Sequence, residues 1–134
     1  MRHTVNPKSS ATTRGIQVDV ESEFDPERSD PGNGDYFFVY HVKIRNHGDS
    51  AAQLISRHWI ITDADNQVQE VRGMGVVGEQ PVLKPGDTFE YSSGSSIPTA
   101  VGTMRGSYQL VAEDGTRFEA SIPEFSLSVP RVLH

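Results

Sequence analysis

Apolar and polar residues alternate along most of the chain, which is the pattern of half-buried β-strands. The first regular run starts after Gly15. Its apolar positions are Ile16, Val18, Val20 and Phe24, and its polar positions are Gln17, Asp19, Glu21 and Glu23. One face of this strand is therefore predicted to be buried and the other to face solvent.

The strongest β segment covers residues 36–45. Its apolar face is predicted to carry Tyr36, Phe38, Tyr40, Val42 and Ile44. The opposite face becomes polar towards its end, with His41, Lys43 and Arg45. We therefore expect His41 to point outward, and this end of the strand to approach solvent.

Further strands are predicted at residues 51–62, 67–72, 87–93 and 102–112, and a last one through Phe118, Ala120 and Ile122. Turns separate them at 46–50, 63–66 and 113–115, and longer loops rich in Gly and Pro cover 25–35 and 73–86. We expect Pro123 to end the regular pairing, with Phe125 and Leu127 capping an open end.

These elements predict an all-β protein. About seven evenly spaced strands without a helical period fit an immunoglobulin-like or fibronectin-III-like antiparallel β-sandwich. A small barrel is the structural alternative. Trp59 on the third strand and Tyr108 on the sixth occupy positions where such sandwiches often place aromatic residues.

The 134 residues suffice for one domain. Residues 1–14 are rich in Ser, Thr, Lys and Asn, and we predict a flexible N-terminal arm there. Residues 15–134 are predicted to form the single β-sandwich.

Composition and charge narrow the functional classes. The chain has no Cys, which excludes disulfides, thiol chemistry and Cys-ligated zinc. The formal net charge is −6 and the arginines are dispersed, so no nucleic acid and no acidic membrane surface is expected as a partner. No apolar stretch has the length of a signal peptide core or a membrane span. We therefore expect a cytoplasmic protein.

Gly73, Gly75 and Gly78 spell GxGxxG. A dinucleotide site would need a helix after the glycines, and the prolines at 81 and 85 exclude one. Two interpretations stay open. The glycine amides, with Arg72 and Glu79 beside them, could form a nest that binds a phosphate or carboxylate. Alternatively, the glycines provide positive φ angles in a long loop.

The metal-binding hypothesis has weaker support. The five histidines are His3, His41, His47, His58 and His134, and their spacing matches no metal motif. Asp63, Asp65 and Asn66 resemble the start of a calcium loop, but Val68 and Met74 occupy its required Gly and Glu positions. That segment is predicted to be a hairpin turn capped by Asx side chains. No metal site, no cofactor and no catalytic residue is predicted.

Several segments together resemble the ApaG (CorD) family. They are residues 71–81 (VRGMGVVGEQP), 84–86 (KPG), 89–91 (FEY), 93–94 (SG), 102–108 (GTMRGSY) and 122–127 (IPEFSL). The resemblance covers about residues 15–133. It implies a fibronectin-III-like fold and a link to cobalt tolerance and magnesium efflux. It also implies relatives in which the domain is fused to F-box proteins or occurs in a polymerase-interacting protein. It implies no catalytic residues.

Three functional hypotheses follow. The first is a non-enzymatic module that binds another protein through residues 72–84 or through exposed edge strands, which could also pair with a second copy in a homodimer. The second is a binder of a small anion or a divalent cation. The third, ranked last, is a nucleotide hydrolase.

Overall fold

A computed structural model describes residues 8–130, which form nine β-strands and two short 3₁₀ turns. The strands are β1 Lys8–Thr13, β2 Ile16–Phe24, β3 Tyr36–Asn46, β4 Ala52–Asp63, β5 Val68–Met74, β6 Val82–Leu83, β7 Thr88–Ile97, β8 Val101–Ala112 and β9 Arg117–Ser128. The 3₁₀ turns are Pro26–Arg28 and Pro31–Asn33. Within residues 8–130 there is no helix long and apolar enough to span a membrane.

The strands form two antiparallel sheets. The first has the order β1-β2-β3-β7, and the second has the order β5-β4-β8-β9 with the short strand β6 also paired to β4. The predicted fibronectin-III-like sandwich class is confirmed. Two strands lie where none was predicted: β1 in the expected arm, and β6 in the long loop 73–86.

The core fills the space between the sheets. In β3 the alternation is confirmed, because Phe38, Tyr40, Val42 and Ile44 are buried. Trp59 of β4 is also buried, and its ring centroid lies 5.0 Å from that of Tyr40. Edge-on aromatic contacts with Tyr108 and Phe125 complete this cluster. These rings connect both sheets and contribute large buried apolar area.

The prediction of a flexible arm is wrong for Lys8–Thr13. This segment pairs with β2 along its whole length, from Lys8 opposite Glu21 to Thr13 opposite Ile16. Its polar composition gives no alternation of apolar and polar residues, because β1 is held by main-chain pairing and side-chain hydrogen bonds more than by a buried face. Residues 1–7 of the predicted arm lie outside the described residues.

Pairing also continues past Pro123, contrary to expectation. Ile122 lies opposite Gly106, whereas Phe125 lies opposite Met104, so Pro123 and Glu124 together oppose Arg105 in a β-bulge. A proline is tolerated at a bulge because no ladder hydrogen bond has to come from its nitrogen. Phe125 and Leu127 are therefore buried core residues of β9 and do not cap an open end.

The two sides of the sandwich differ. On one side the sheets are joined by hydrogen bonds from Ser9 Oγ to Glu124 O (2.7 Å) and from Ser22 Oγ to Ser126 O (2.6 Å). β1 and β9 end the two sheets on the joined side, and β5 and β7 end them on the opposite side.

The contact between β4 and β8 beside His58 requires a glycine. A Cβ atom at Gly106 would lie 2.0 Å from the carbonyl oxygen of His58. We expect Gly106→Ala to lower the free energy of unfolding by about 3 kcal/mol, because the strands would have to separate. The matched control is Gly115→Ala, in a turn with φ +88 and nothing within 4 Å, which should cost about 1 kcal/mol. Urea denaturation measures both, and equal losses would contradict the packing argument.

Candidate functional site

The loop after β5 begins with a tight hairpin. Val76 N donates to Glu79 O (2.8 Å) and Glu79 N donates to Val76 O (2.9 Å). The two residues between them, Val77 and Gly78, have φ angles of 43° and 83°. This is a type I′ turn, in which Gly78 supplies a conformation that L-residues rarely adopt.

Gly75 positions this hairpin on β4. Its φ is +64, a Cβ there would lie 2.3 Å from Glu79 O, and its amide donates to Ile55 O (2.7 Å). Gln80 Nε2 donates to the same carbonyl (2.9 Å), and the side chain of Val76 is fully buried. The hairpin is therefore fixed at the point where the β4–β8 register shifts, between Leu54 and Ser56.

Gly73 has a different role. It lies in β5 opposite Arg57 of β4, and a Cβ at Gly73 would be 2.7 Å from the guanidinium carbon of Arg57. The half-buried Arg57 thus extends over the glycine, and its Nη1 donates to Met74 O (3.0 Å) and Gly75 O (2.9 Å). The missing side chain at position 73 makes the space that Arg57 occupies.

These contacts separate the residues that were predicted to form an anion nest. The amides of Gly75, Val76 and Glu79 already donate to backbone carbonyls. The exposed Arg72 side chain lies 3.6 Å from Glu70, away from the guanidinium of Arg57 that covers Gly73. Glu79 contributes its backbone to the hairpin. The shape interpretation explains Gly73, Gly75 and Gly78, and an anion site at Arg72, Gly73, Gly75, Gly78 and Glu79 stays a prediction.

Tyr40 and Tyr108 are buried in the core near Arg57, and the partly buried Tyr91 packs against the core beside them. The hydroxyl groups of Tyr91 and Tyr108 are hydrogen-bonded to each other between the sheets. Burial raises the pKa of Tyr40, Tyr91 and Tyr108, and the nearby charge of Arg57 partly opposes that rise. All three are therefore neutral at physiological pH.

Four large apolar side chains are exposed on β5 and on the segment that follows it. Val68, Met74, Val77 and Val82 are 60%, 67%, 56% and 54% exposed, and of the large hydrophobic residues described as exposed only Val101 lies elsewhere. We call Val68–Met74 together with Val77 and Val82 the β5–β6 edge surface. Val68 and Met74 lie at opposite ends of β5, with the charged Glu70 and Arg72 between them. Exposed apolar groups along one edge are typical of an interaction site.

The peptide groups of β5 alternate in direction. Gly75 N donates to Ile55 O, and Gln67 O accepts from Asp63 N, so the odd-numbered residues point their peptide groups at β4. In an antiparallel ladder the residues between them point the other way. The peptide groups of Val68, Glu70 and Arg72 are therefore directed to the free edge.

The histidines have ordinary hydrogen-bond partners. His41 points outward, as predicted, and contacts Ser92 Oγ (2.6 Å) and Glu23 (3.2 Å). His47 contacts Gln17, and His58 contacts Glu70 at 2.7 Å. His3 and His134 lie outside the described residues. In the described part of the chain, no group of three His, Asp or Glu side chains could hold a metal ion.

The predicted Asx-capped turn is confirmed. Asp63 Oδ1 accepts hydrogen bonds from Asp65 N (2.8 Å) and Gln67 N (3.0 Å), which close the β4–β5 hairpin. The side chain that resembled a calcium ligand therefore binds the backbone of its own turn.

The ApaG domain family matches residues 26–112, a range that contains β5, the glycine hairpin and the buried tyrosines. The chain belongs to the ApaG family. Protein ApaG of Dechloromonas aromatica is 62% identical over 119 residues, which make up 89% of this chain and 94% of that protein. Protein ApaG of Thiobacillus denitrificans is 61% identical, with the same coverage of both chains.

Solved structures agree with the fold. The crystal structure of the ApaA protein of Bordetella pertussis has a TM-score of 0.85 and 52% identity, covering 96% of this chain and 100% of that one. The C-terminal domain of wzt is similar in fold alone, with a TM-score of 0.54 and 14% identity over 94% of this chain and 80% of that chain.

In this ApaG domain, Arg57 is the residue that the sequence analysis missed. Arg57 precedes the buried Trp59 by two positions, and alternation places both on the same face of β4. An arginine in phase with a buried tryptophan was the available signal. Its contact with Gly73 could not be read from the sequence, because the β4–β5 register was not known.

The buried tyrosines predict how stability depends on pH. Their pKa values in the folded state lie above the ordinary value of about 10, so the unfolded chain loses these protons first as pH rises. The free energy of unfolding should hold up to about pH 10 and fall above it. Tyr91→Phe should weaken this dependence and cost about 1 kcal/mol at pH 7, because Tyr108 loses its partner.

Urea denaturation between pH 7 and pH 11, followed together with tyrosinate absorbance, measures this effect. Complete tyrosine ionisation near pH 10 in a protein that stays folded would show that the cluster is not buried as described.

Proposed function

We propose that this ApaG domain is a non-enzymatic, cytoplasmic module that binds another protein by accepting an extended segment at the free edge of β5. The observation that carries the proposal is the β5–β6 edge surface. It combines unpaired, edge-directed peptide groups with exposed apolar side chains. Main-chain hydrogen bonds would supply affinity and the side chains specificity, as in β-strand addition generally.

The composition of β5 supports this use of its edge. Solvent-exposed edges are usually protected by charged side chains, proline or bulges. The charges of β5, on Glu70 and Arg72, lie 3.6 Å apart as an ion pair. β5 contains neither lysine nor proline, pairs regularly with β4 from Thr62 to Ser56, and exposes Val68 and Met74. A regular edge with exposed apolar side chains is suited to the addition of a strand. A second copy of the chain could add to the same edge, and we rank this homodimer behind a different protein partner.

The link of the family to cobalt tolerance and magnesium efflux is part of the same proposal. We attribute it to the protein that the domain binds, so that the domain acts on cation homeostasis indirectly. A small anion or divalent cation bound directly is the alternative.

One arrangement favours a hydrolase as a second candidate. Ser92 Oγ lies 2.6 Å from His41 Nδ1, and His41 Nε2 lies 3.2 Å from Glu23 Oε1. Ser92 and His41 line a depression of about 940 Å³ on the outer face of the first sheet. The side chains of His41 and Glu23 are 43% and 70% exposed, however. A catalytic triad relies on a water-excluded, preorganised site, and this exposure weakens the interpretation.

A fluorophosphonate probe tests that candidate. We expect no covalent labelling of the purified protein, and unchanged partner capture by Ser92→Ala. Stoichiometric labelling at Ser92 that disappears in His41→Ala would refute the non-enzymatic assignment.

The edge surface is tested by affinity capture with quantitative mass spectrometry. The double variant Val68→Lys/Met74→Lys places charges on both exposed side chains of β5, and should reduce capture of the specific partner about tenfold or more. The control is Val101→Lys, which charges an exposed valine on β8. Equal capture by the wild-type protein and the double variant would rule out this surface.

A further inference from the structure

Arg57 extends from β4 to the edge strand of its sheet. Its Cζ, Nη1 and Nη2 atoms each lie 2.7 Å from the position that a Cβ atom would take at Gly73, so the charge lies over β5 rather than over β4. Because β5 ends the sheet, a strand added to it would run directly beside this charge.

The charge of Arg57 has no acidic partner among residues 8–130. Arg28 pairs with Asp25 and Arg72 pairs with Glu70, whereas no carboxylate of the described residues lies within 4.0 Å of Arg57. Its Nη1 donates to Met74 O and Gly75 O. Arginine has five N–H donors, so those on Nη2 and Nε are available to a ligand. A half-buried guanidinium with free donors is well suited to a carboxylate, which it can bind through two parallel hydrogen bonds.

Strand geometry fixes where that carboxylate would come from. The peptide group of Gly73 points at β4, so a strand added antiparallel to β5 would face Gly73 as a closely spaced, non-hydrogen-bonded pair about 4.5 Å away. The side chain opposite Gly73 would point to the same face as Arg57. Since Gly73 has no side chain, nothing from β5 would separate the two groups.

We infer that Arg57 selects the partner, by binding one aspartate or glutamate side chain of the added segment, at the position opposite Gly73. This inference rests on the proposed strand addition at β5. We expect one acidic residue in the added segment and not a run of them. The net charge of −6 and the exposed Glu70 and Glu79 would repel a segment with several acidic residues. The adjacent position opposite Met74 would face an exposed apolar side chain, and should be apolar.

Selection of a phage-displayed heptapeptide library on the immobilised protein tests this inference. We expect the recovered peptides to share one acidic position with an apolar neighbour. Selection on Arg57→Gln should lose the acidic preference. The matched control Arg72→Gln removes the neighbouring arginine, whose partner is Glu70, and should retain it. Thermal melts followed by circular dichroism establish that both variants fold.

A second measurement needs no protein variant. A selected peptide whose acidic residue is replaced by the corresponding amide should bind the wild-type protein about tenfold more weakly in fluorescence anisotropy. Equal affinity would overturn the inference.

The outcomes separate the inference from the function on which it rests. Peptides that bind at β5 without an acidic preference would overturn the role of Arg57 and retain strand addition. Failure to recover any binding peptide would count against both.

Discussion

Hydrogen bonds between the sheets run along one side of the sandwich, where the hydroxyl groups of Ser9 and Ser22 donate to carbonyls of β9. These contacts join β1 and β2 to β9 on that side, and the strand order places β5 and β7 at the ends of their sheets on the opposite side. Every feature of the proposed strand-addition site lies on that second side. The glycine hairpin, Arg57 and the exposed valines and methionine all belong to β5 or its surroundings. The joined side and the proposed site therefore lie at opposite sides of the sandwich.

The glycine signature shows how a motif can carry a physical meaning different from the one its spelling suggests. In a dinucleotide site, the glycines of GxGxxG bring a helix N-terminus to a pyrophosphate. Here Gly73 makes room for a guanidinium group, Gly75 permits the close approach of Glu79, and Gly78 completes a type I′ turn. All three are shape requirements of one hairpin docked on β4. Gly73 and Gly75 leave no room for a side chain, whereas Gly78 has open space around it and supplies a positive φ.

The sequence predicted most strands, because alternation of apolar and polar residues depends only on which face is buried. It failed where pairing is independent of that pattern. β1 is polar except for Ala11 and is held by main-chain bonds to β2, and β9 continues through a bulge at Pro123 that alternation cannot anticipate. The site was harder to predict for the same reason. The register shift between Leu54 and Ser56 changes which residues of β4 face inward, and so determines the position of Arg57. The glycines could be found in the sequence, whereas the contact between Gly73 and Arg57 could be identified only from the β4–β5 register.

The central claim is that the partner adds to the free edge of β5. Amide hydrogen exchange measured by NMR, on the protein alone and on its complex with the captured partner, tests it most directly. The account predicts that the edge-directed amides of Val68, Glu70 and Arg72 exchange at least about tenfold more slowly in the complex, with β7 unchanged. Protection that appears on β7 or on the outer face of the first sheet, with these three amides unaffected, would contradict the account.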